Sequence, residues 1–141
     1  MVSIVLIGSK FEANVAMVVR LAAAYKIPTV ICVKPRYKPE DRIPRELRMF
    51  KQVVLLTTDR MPEGLLVGVE RRVMAESLKD FVHPIPFPDK EISYVFGPED
   101  GDISQGTLRR CSRFVQIPVE VSMNLATAVA TVLWDRKLKG G

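Results

Sequence analysis

Acidic side chains follow a glycine and a proline directly after one apolar segment of the chain. Residues 97–101 read Gly-Pro-Glu-Asp-Gly and come after the apolar residues 92–96. Glycine lets the backbone approach a ligand closely, and Glu99 and Asp100 offer carboxylate acceptors. Ligands of open α/β sheets bind at the carboxyl ends of strands, so this turn is a candidate site. A plain surface turn is the alternative, and the turn alone does not decide between them.

A second group of polar residues lies where another apolar segment passes into a helix. Residues 117–124 read Ile-Pro-Val-Glu-Val-Ser-Met-Asn and lead into an alanine-rich stretch. Ser122 is placed where it could cap that helix by accepting a hydrogen bond from free backbone amides. Asn124, in the first turn of an apolar helix, would direct its side-chain amide toward the strand end. This junction is therefore a second candidate for ligand contacts.

The first predicted helix carries two further polar residues, Asn14 and Arg20. Arg20 is surrounded in sequence by valines, a leucine and alanines. A guanidinium within such an apolar helix needs partners, so it belongs either to a buried structural ion pair or to a functional cation. Both alternatives remain open from these residues.

The positive charge of the chain is concentrated in one segment. The 141 residues carry a net charge of +5, and residues 34–51 alone contribute +4. A dense basic segment is typical of a surface that binds phosphates, although a solvated loop that only keeps a protein soluble would look the same.

Several kinds of site are excluded by composition. The single histidine, His83, lies in a proline-rich stretch, and together with Cys32 and Cys111 it makes no zinc pattern or histidine-based triad. The chain contains no dinucleotide fingerprint and no phosphate-binding loop with its lysine. Two cysteines without a secretory leader, and no bilayer-length apolar stretch, predict free thiols and a cytoplasmic protein with no membrane contact.

Apolar segments alternate with helical patterns along the chain, which predicts an α/β sheet with helices on both faces. The predicted strands are residues 2–7, 29–33, 53–56, 65–69, 92–96 and 114–117. The predicted helices are residues 12–25, 44–50, 107–111 and 123–138, with a helical turn at 74–78. The prolines of residues 82–90 predict an irregular loop. The strand order does not follow from this pattern.

Taken together and in this order, the three polar groups resemble the signature motifs of the SpoU/TrmH branch of the SPOUT RNA methyltransferases. The first motif is Asn14, five residues, and Arg20; the second is the glycine–proline–acidic turn at 97–101. The third is Ile-Pro at 117–118, a short loop, and Ser-Met-Asn at 122–124 before an alanine-rich helix. Three motifs in the correct order over nearly the whole chain make the resemblance specific.

The resemblance implies a fold and a cofactor. The fold is a single SPOUT domain over residues 1–141, an open, mostly parallel α/β sheet with a C-terminal deep trefoil knot and no separate RNA-binding domain. The cofactor is S-adenosylmethionine, without a metal. The matching positions that would bind it are Val69, Glu70, Gly97, Ile117, Ser122 and Met123. The loop of residues 119–121 is shorter than in many relatives, which would tighten this pocket.

The resemblance also implies a reaction, methyl transfer to a ribose 2′-hydroxyl of RNA, with tRNA favoured over rRNA. Arg20 would help to deprotonate or polarise the hydroxyl. The residues that would position it and the neighbouring phosphate are Asn14, Glu99, Ser122 and Asn124.

Family members of this minimal size act as dimers, so the resemblance implies a homodimer with the active site at the subunit interface. In that context the basic segment becomes the RNA surface, formed by Lys34, Arg36, Lys38, Arg42, Arg45 and Arg48. Two alternatives remain: a SPOUT enzyme that methylates a base nitrogen, and a non-catalytic RNA-binding module.

Overall fold

The computed structural model describes residues 1–86 and 90–140, in which strands and helices alternate. The strands are β1 Val2–Ile7, β2 Thr29–Val33, β3 Val54–Thr58, β4 Leu65–Val69, β5 Glu76–Ser77, β6 Ile92–Phe96 and β7 Arg113–Gln116. The helices are α1 Glu12–Ala24, α2 Arg42–Met49, α3 Gln105–Arg110 and α4 Leu125–Leu138, with one turn of 3-10 helix at Leu78–Asp80.

The strands form one sheet in the order β3-β2-β1-β6-β4-β7-β5, and every strand pair recorded in the described residues is parallel. The central strands β1 and β6 are almost entirely buried, as their mostly apolar sequences predict for a sheet covered on both faces. Because all strands run the same way, their carboxyl ends meet at one edge of the sheet. The predicted parallel α/β sheet is confirmed.

Side chains that alternate along the strands divide the core into two layers. On one face, Ile4 and Leu6 of β1 belong to a large core that includes Val18 of α1 and Val129 of α4. On the other face, Val5 belongs to a smaller core that includes Leu108 of α3. Helices therefore cover both faces, as predicted.

Four strands, β1, β2, β4 and β6, have the predicted bounds, and the ends of the other predicted helices and strands differ by at most two residues. The helical turn predicted at 74–78 is wrong. Residues Glu76–Ser77 instead form the edge strand β5, which pairs with β7. Met74 is exposed, so its apolar side chain would not help to pack a helix at this position.

The loop predicted at residues 82–90 has no helix or strand in its described part, and residues 87–89 lie outside the described residues. The trefoil knot and the single-domain organisation stay predictions. Of the helices in the described residues, none is long and apolar enough to cross a membrane. Over the same residues, no group of three or more side chains is arranged to hold a metal ion.

Candidate active site

A cleft of about 230 Å³ opens at the carboxyl edge of the sheet, where β4, β6 and β7 end. Its walls come from the residues that follow these three strands and from the first turns of α4. Apolar side chains such as Phe96 and Leu125 alternate there with the polar groups of Glu99 and Asp102. A concave site with an apolar lining and a few polar groups is the usual form of a small-molecule pocket.

All six residues predicted to bind the cofactor line this one cleft: Val69, Glu70, Gly97, Ile117, Ser122 and Met123. The carboxyl ends of parallel strands share an edge, so three segments far apart in sequence meet there. Their contacts with a cofactor stay a prediction. Sequence reasoning missed Arg71 and Ile103, which also line the cleft and carry no motif signal.

The wall beside Gly97 is closely packed. A Cβ atom at this position would lie 3.0 Å from Cγ1 of Ile103 and 3.2 Å from its backbone nitrogen. That nitrogen donates to Oε1 of Glu70 at 2.9 Å. Glycine at 97 and the Glu70 carboxylate therefore hold the segment around Ile103 against the ends of β4 and β6.

Glu99 ties the turn after β6 to the start of α1. Its carboxylate accepts hydrogen bonds from the backbone amides of Lys10 at 2.8 Å and Phe11 at 3.2 Å, and from Nδ2 of Asn14 at 2.9 Å. Partial burial acts to raise the pKa of Glu99, but these donors outweigh it and leave the pKa below its ordinary value. Glu99 is consequently a fixed carboxylate next to the N-terminus of a helix.

Asn14 and Asn124 continue this chain of hydrogen bonds to α4. Nδ2 of Asn124 donates to Oδ1 of Asn14 at 3.5 Å, and Oδ1 of Asn124 accepts from the amide of Ala126 at 2.9 Å. Asn124 therefore caps α4, and the expectation that Ser122 caps it is wrong, because the helix begins only at Leu125. Ser122 is exposed at the cleft instead.

Arg20 lies away from the cleft. It follows Asn14 by six residues of α1, which places it about 9 Å along the helix and about 120° around it. Its side chain is 51% exposed, which does not fit the alternative of a buried ion pair. An ion pair does exist, with Glu46 of α2, and the ring of Phe50 lies 5.5 Å from the guanidinium carbon. Within the chain, Arg20 does not line the cleft with Glu99 and Ser122.

The basic segment is exposed at all six residues predicted to bind RNA, Lys34, Arg36, Lys38, Arg42, Arg45 and Arg48. Arg36 differs from the others because its guanidinium bonds both carboxylate oxygens of Asp100, at 2.5 and 3.1 Å, and the carbonyl oxygen of Gly8 at 3.0 Å. The hydrogen bond from Arg36 lowers the pKa of Asp100. Arg36 thus connects the basic segment to the turn that carries Glu99.

Glu12 fixes α2 on α1, a role that the sequence did not reveal. The buried Glu12 carboxylate accepts hydrogen bonds from the backbone amides of Glu40, of Arg42 at 2.8 Å and of Ile43 at 3.2 Å. Carboxylates are favourable at the amides of a helix start. No local spacing signals this contact, because its partners are about thirty residues away.

A parallel sheet with a cleft at its carboxyl edge defines the chain as an α/β ligand-binding domain. Within that class, the model of the SpoU rRNA Methylase family matches residues 1–134. The chain belongs to this family. No curated protein sequence matches it significantly.

Solved structures share the fold at low sequence identity. One, described as giving insight into 2-OH methylation of tRNA, is 22% identical with a TM-score of 0.79; the match covers 99% of this chain and 95% of that one. The SpoU methyltransferase AviRb from Streptomyces viridochromogenes, in complex with AdoMet, is 16% identical with a TM-score of 0.73, over 98% of this chain and 61% of that one. An AdoMet-bound rRNA methyltransferase from Sinorhizobium meliloti is 15% identical with a TM-score of 0.72, over 97% and 56%. The chain thus spans less than two thirds of the last two structures.

Proposed function

We propose that this protein transfers a methyl group from S-adenosylmethionine to a ribose 2′-hydroxyl of RNA. The observation that carries the proposal is the meeting of all six predicted cofactor residues in one cleft, bordered by the hydrogen-bonded chain of Asn14, Glu99 and Asn124. Family membership supports the same reaction class. The solved structure described as giving insight into 2-OH methylation of tRNA is also similar to this chain in length, which favours tRNA over rRNA as the substrate.

The cleft suits S-adenosylmethionine because Gly97 leaves its backbone accessible, at a position where a Cβ atom would press closely on Ile103. Val69, Ile117 and Met123 offer apolar surface, while Ser122 and the backbone at Gly97 offer polar groups. The cofactor supplies an activated methyl group on sulfur. The protein then needs mainly to align the accepting hydroxyl with that methyl group.

The chemistry of the remaining residues concerns the hydroxyl, whose proton is released to water as its oxygen takes the methyl group and the thioether S-adenosylhomocysteine leaves. The Glu99 carboxylate orients Asn14, and Asn124 extends this polar row toward the cleft. Arginine stays protonated in proteins, so Arg20 acts as a fixed cation that stabilises the developing alkoxide or the adjacent phosphate. Of the six residues predicted to bind RNA, the five other than Arg36, at 34, 38, 42, 45 and 48, give the RNA backbone its phosphate contacts.

A homodimer completes this site, because Arg20 and the cleft are apart within one chain. Met17 of α1 and Trp134 and Leu138 of α4 are large apolar side chains that are 51%, 52% and 67% exposed. α1 and α4 contact each other on the same face of the sheet. This exposed apolar surface would pack against a second copy and bring its Arg20 to the cleft.

Replacing Arg20 tests the proposal. We expect Arg20→Ala to lower single-turnover methyl transfer into unmodified tRNA by about 100- to 1,000-fold, since it removes a charge aimed at the transition state. Its dissociation constant for S-adenosylmethionine, measured by calorimetry, should stay within about twofold of the wild type, because the six residues proposed to bind the cofactor are unchanged. Arg109→Ala, an exposed arginine on α3, is the matched control and should keep full activity.

Three outcomes would contradict the proposal. A product that alkali still cleaves at the 3′ side of the modified nucleotide would indicate base methylation. Absence of calorimetric binding at high micromolar S-adenosylmethionine would indicate a non-catalytic RNA-binding module. Full activity of Arg20→Ala would remove Arg20 from the mechanism.

A further inference from the structure

Glu46 of α2 faces the guanidinium of Arg20 with both carboxylate oxygens. Its Oε2 lies 3.3 Å from Nε of Arg20, and its Oε1 lies 3.4 Å from Nη2. This paired arrangement fixes the plane of the guanidinium as well as its position. Over the described residues, the remaining nitrogen, Nη1, makes no hydrogen bond.

The two side chains of this ion pair differ in burial. The side chain of Glu46 is only 14% exposed, whereas that of Arg20 is 51% exposed. An exposed ion pair by itself contributes little to stability because water screens it. A largely buried carboxylate can nevertheless hold an exposed arginine in one place, and the ring of Phe50 lies against the guanidinium from the end of α2.

The same helix carries part of the basic surface. Arg42, Arg45 and Arg48 are exposed on α2, while Glu46 and Phe50 contact Arg20. The Glu12 carboxylate binds backbone amides at the start of α2 and so fixes that helix on α1. An RNA phosphate that binds the arginines of α2 is thereby held at a set distance from Arg20.

We propose that Glu46 is a positioning residue for methyl transfer, which orients the Arg20 guanidinium and couples it to the RNA-binding face of α2. This inference rests on the proposed function, because it assumes that Arg20 acts on the hydroxyl or its phosphate. A carboxylate that served only to stabilise the fold would affect unfolding and leave the rate of the bound complex unchanged.

The test compares Glu46→Gln with Glu40→Gln, a substitution of an exposed glutamate in the same basic segment, 4.0 Å from Arg42. The methyl-transfer rate of each substitution is measured in the wild-type background and in the Arg20→Lys variant, which has no guanidinium group to pair with both carboxylate oxygens. Single-turnover assays with saturating RNA and S-adenosylmethionine keep slow rates measurable. We expect Glu46→Gln to lower the methyl-transfer rate by about 10- to 100-fold in the wild-type background, since a small displacement of a catalytic group has an effect of this size.

Three further results are expected. The calorimetric dissociation constant for S-adenosylmethionine stays unchanged, Glu46→Gln causes no additional loss in Arg20→Lys, and Glu40→Gln keeps the wild-type rate. An unchanged rate of Glu46→Gln would overturn the inference, as would an equal loss in both backgrounds. The proposed function is tested separately: if Arg20→Ala loses activity and Glu46→Gln does not, only the positioning role fails.

Discussion

Glu99 is the residue at which the three motifs meet. Its carboxylate accepts from two backbone amides at the start of α1 and from the side chain of Asn14. Asn14 in turn accepts from Asn124, whose other side-chain atom caps α4. A single side chain at the turn after β6 thus joins two helices, and its negative charge is favourable at the N-terminus of α1.

Replacing Glu99 by the isosteric glutamine should therefore be costly. In Glu99→Gln one carboxylate oxygen becomes an NH₂ group, which cannot accept. Either the amide of Lys10, or both the amide of Phe11 and Nδ2 of Asn14, therefore lose their acceptor. We expect a loss of about 1–3 kcal/mol in the free energy of unfolding at pH 7, measured by urea denaturation. Methyl transfer should fall as well, because the neutral side chain no longer holds the start of α1 and Asn14 with two acceptor oxygens.

The pH dependence of this loss has a defined sign. The pKa of Glu99 is below its ordinary value of 4.5 in the folded protein, so its contribution is present above pH 4.5 and is lost as pH falls through the folded-state pKa. The difference between wild type and Glu99→Gln should shrink accordingly in acid. Glu120→Gln, at an exposed glutamate of the loop before α4, is the control. A difference that stayed constant between pH 7 and pH 3 would contradict the ionised role of Glu99.

At the scale of elements, the first turn of α4 lines the cleft, and the last turn of α4 carries a polar cluster. Nε2 of the buried His83 bonds Oδ2 of Asp135 at 2.7 Å, and its Nδ1 bonds the hydroxyl of Tyr94 in β6 at 2.8 Å. Because a carboxylate only accepts, Nε2 carries the proton and Nδ1 of the neutral ring accepts from Tyr94. Lys139 also bonds Asp135, at 2.9 Å, and donates to the carbonyl oxygens of Leu78 and Phe81.

This cluster should make stability depend on pH near neutrality. Burial lowers the pKa of His83 below its ordinary value of 6.5, against the raising effect of Asp135 and with the help of Lys139 and Arg136. The unfolded chain therefore binds a proton at a higher pH than the folded one. The free energy of unfolding should fall as pH is lowered from 6.5 through the folded-state pKa.

The measurement is simple because His83 is the only histidine of the chain. Its ring resonances, followed by NMR in the native protein, should titrate with a midpoint below 6.5. The free energy of unfolding of His83→Gln should be about 1–3 kcal/mol lower at pH 7, since buried partners are left unsatisfied, and nearly flat between pH 5.5 and 6.5. A native midpoint at or above 6.5, or the same slope in both proteins, would show that His83 is not held neutral.

The elements differ in how far sequence could predict them. β1, β2, β4 and β6 are mostly apolar, so their bounds follow largely from hydrophobicity. β5 has two residues and exists only because its backbone pairs with β7, which no local pattern encodes. The motif residues could be assigned to one edge because parallel strands share that edge, whereas the pairing of Arg20 with Glu46 depends on how α1 and α2 pack.

At the scale of the whole molecule, two features of the surface bear on the proposed homodimer. The cleft lies at the carboxyl edge of the sheet, and Arg20 extends from α1 outside it. Met17 and Trp134 leave about half of their large apolar side chains in contact with water on the face formed by α1 and α4. A contact through this face would bury both side chains and supply each cleft with an arginine from its partner.

Trp134→Glu should therefore separate the subunits. Buried aromatic residues near the centre of an interface commonly contribute about 2 kcal/mol or more to binding, and an unpaired charge in their place adds a desolvation cost. We expect the dimer dissociation constant, measured by analytical ultracentrifugation, to rise by at least about 30-fold. Methyl transfer should be lost at concentrations where the variant is monomeric, and should return in part as the protein is concentrated.

The control is Val73→Glu, which places the same charge on an apolar residue that is 98% exposed in the loop after β4, outside α1 and α4. It should sediment like the wild type. Because Trp134 lies on the exposed side of α4, Trp134→Glu should keep the wild-type free energy of unfolding per chain once its concentration dependence is taken into account. A Trp134→Glu protein that stays dimeric would place the contact on another face, and a monomer that retained full methyl transfer would mean that one chain supplies the whole active site.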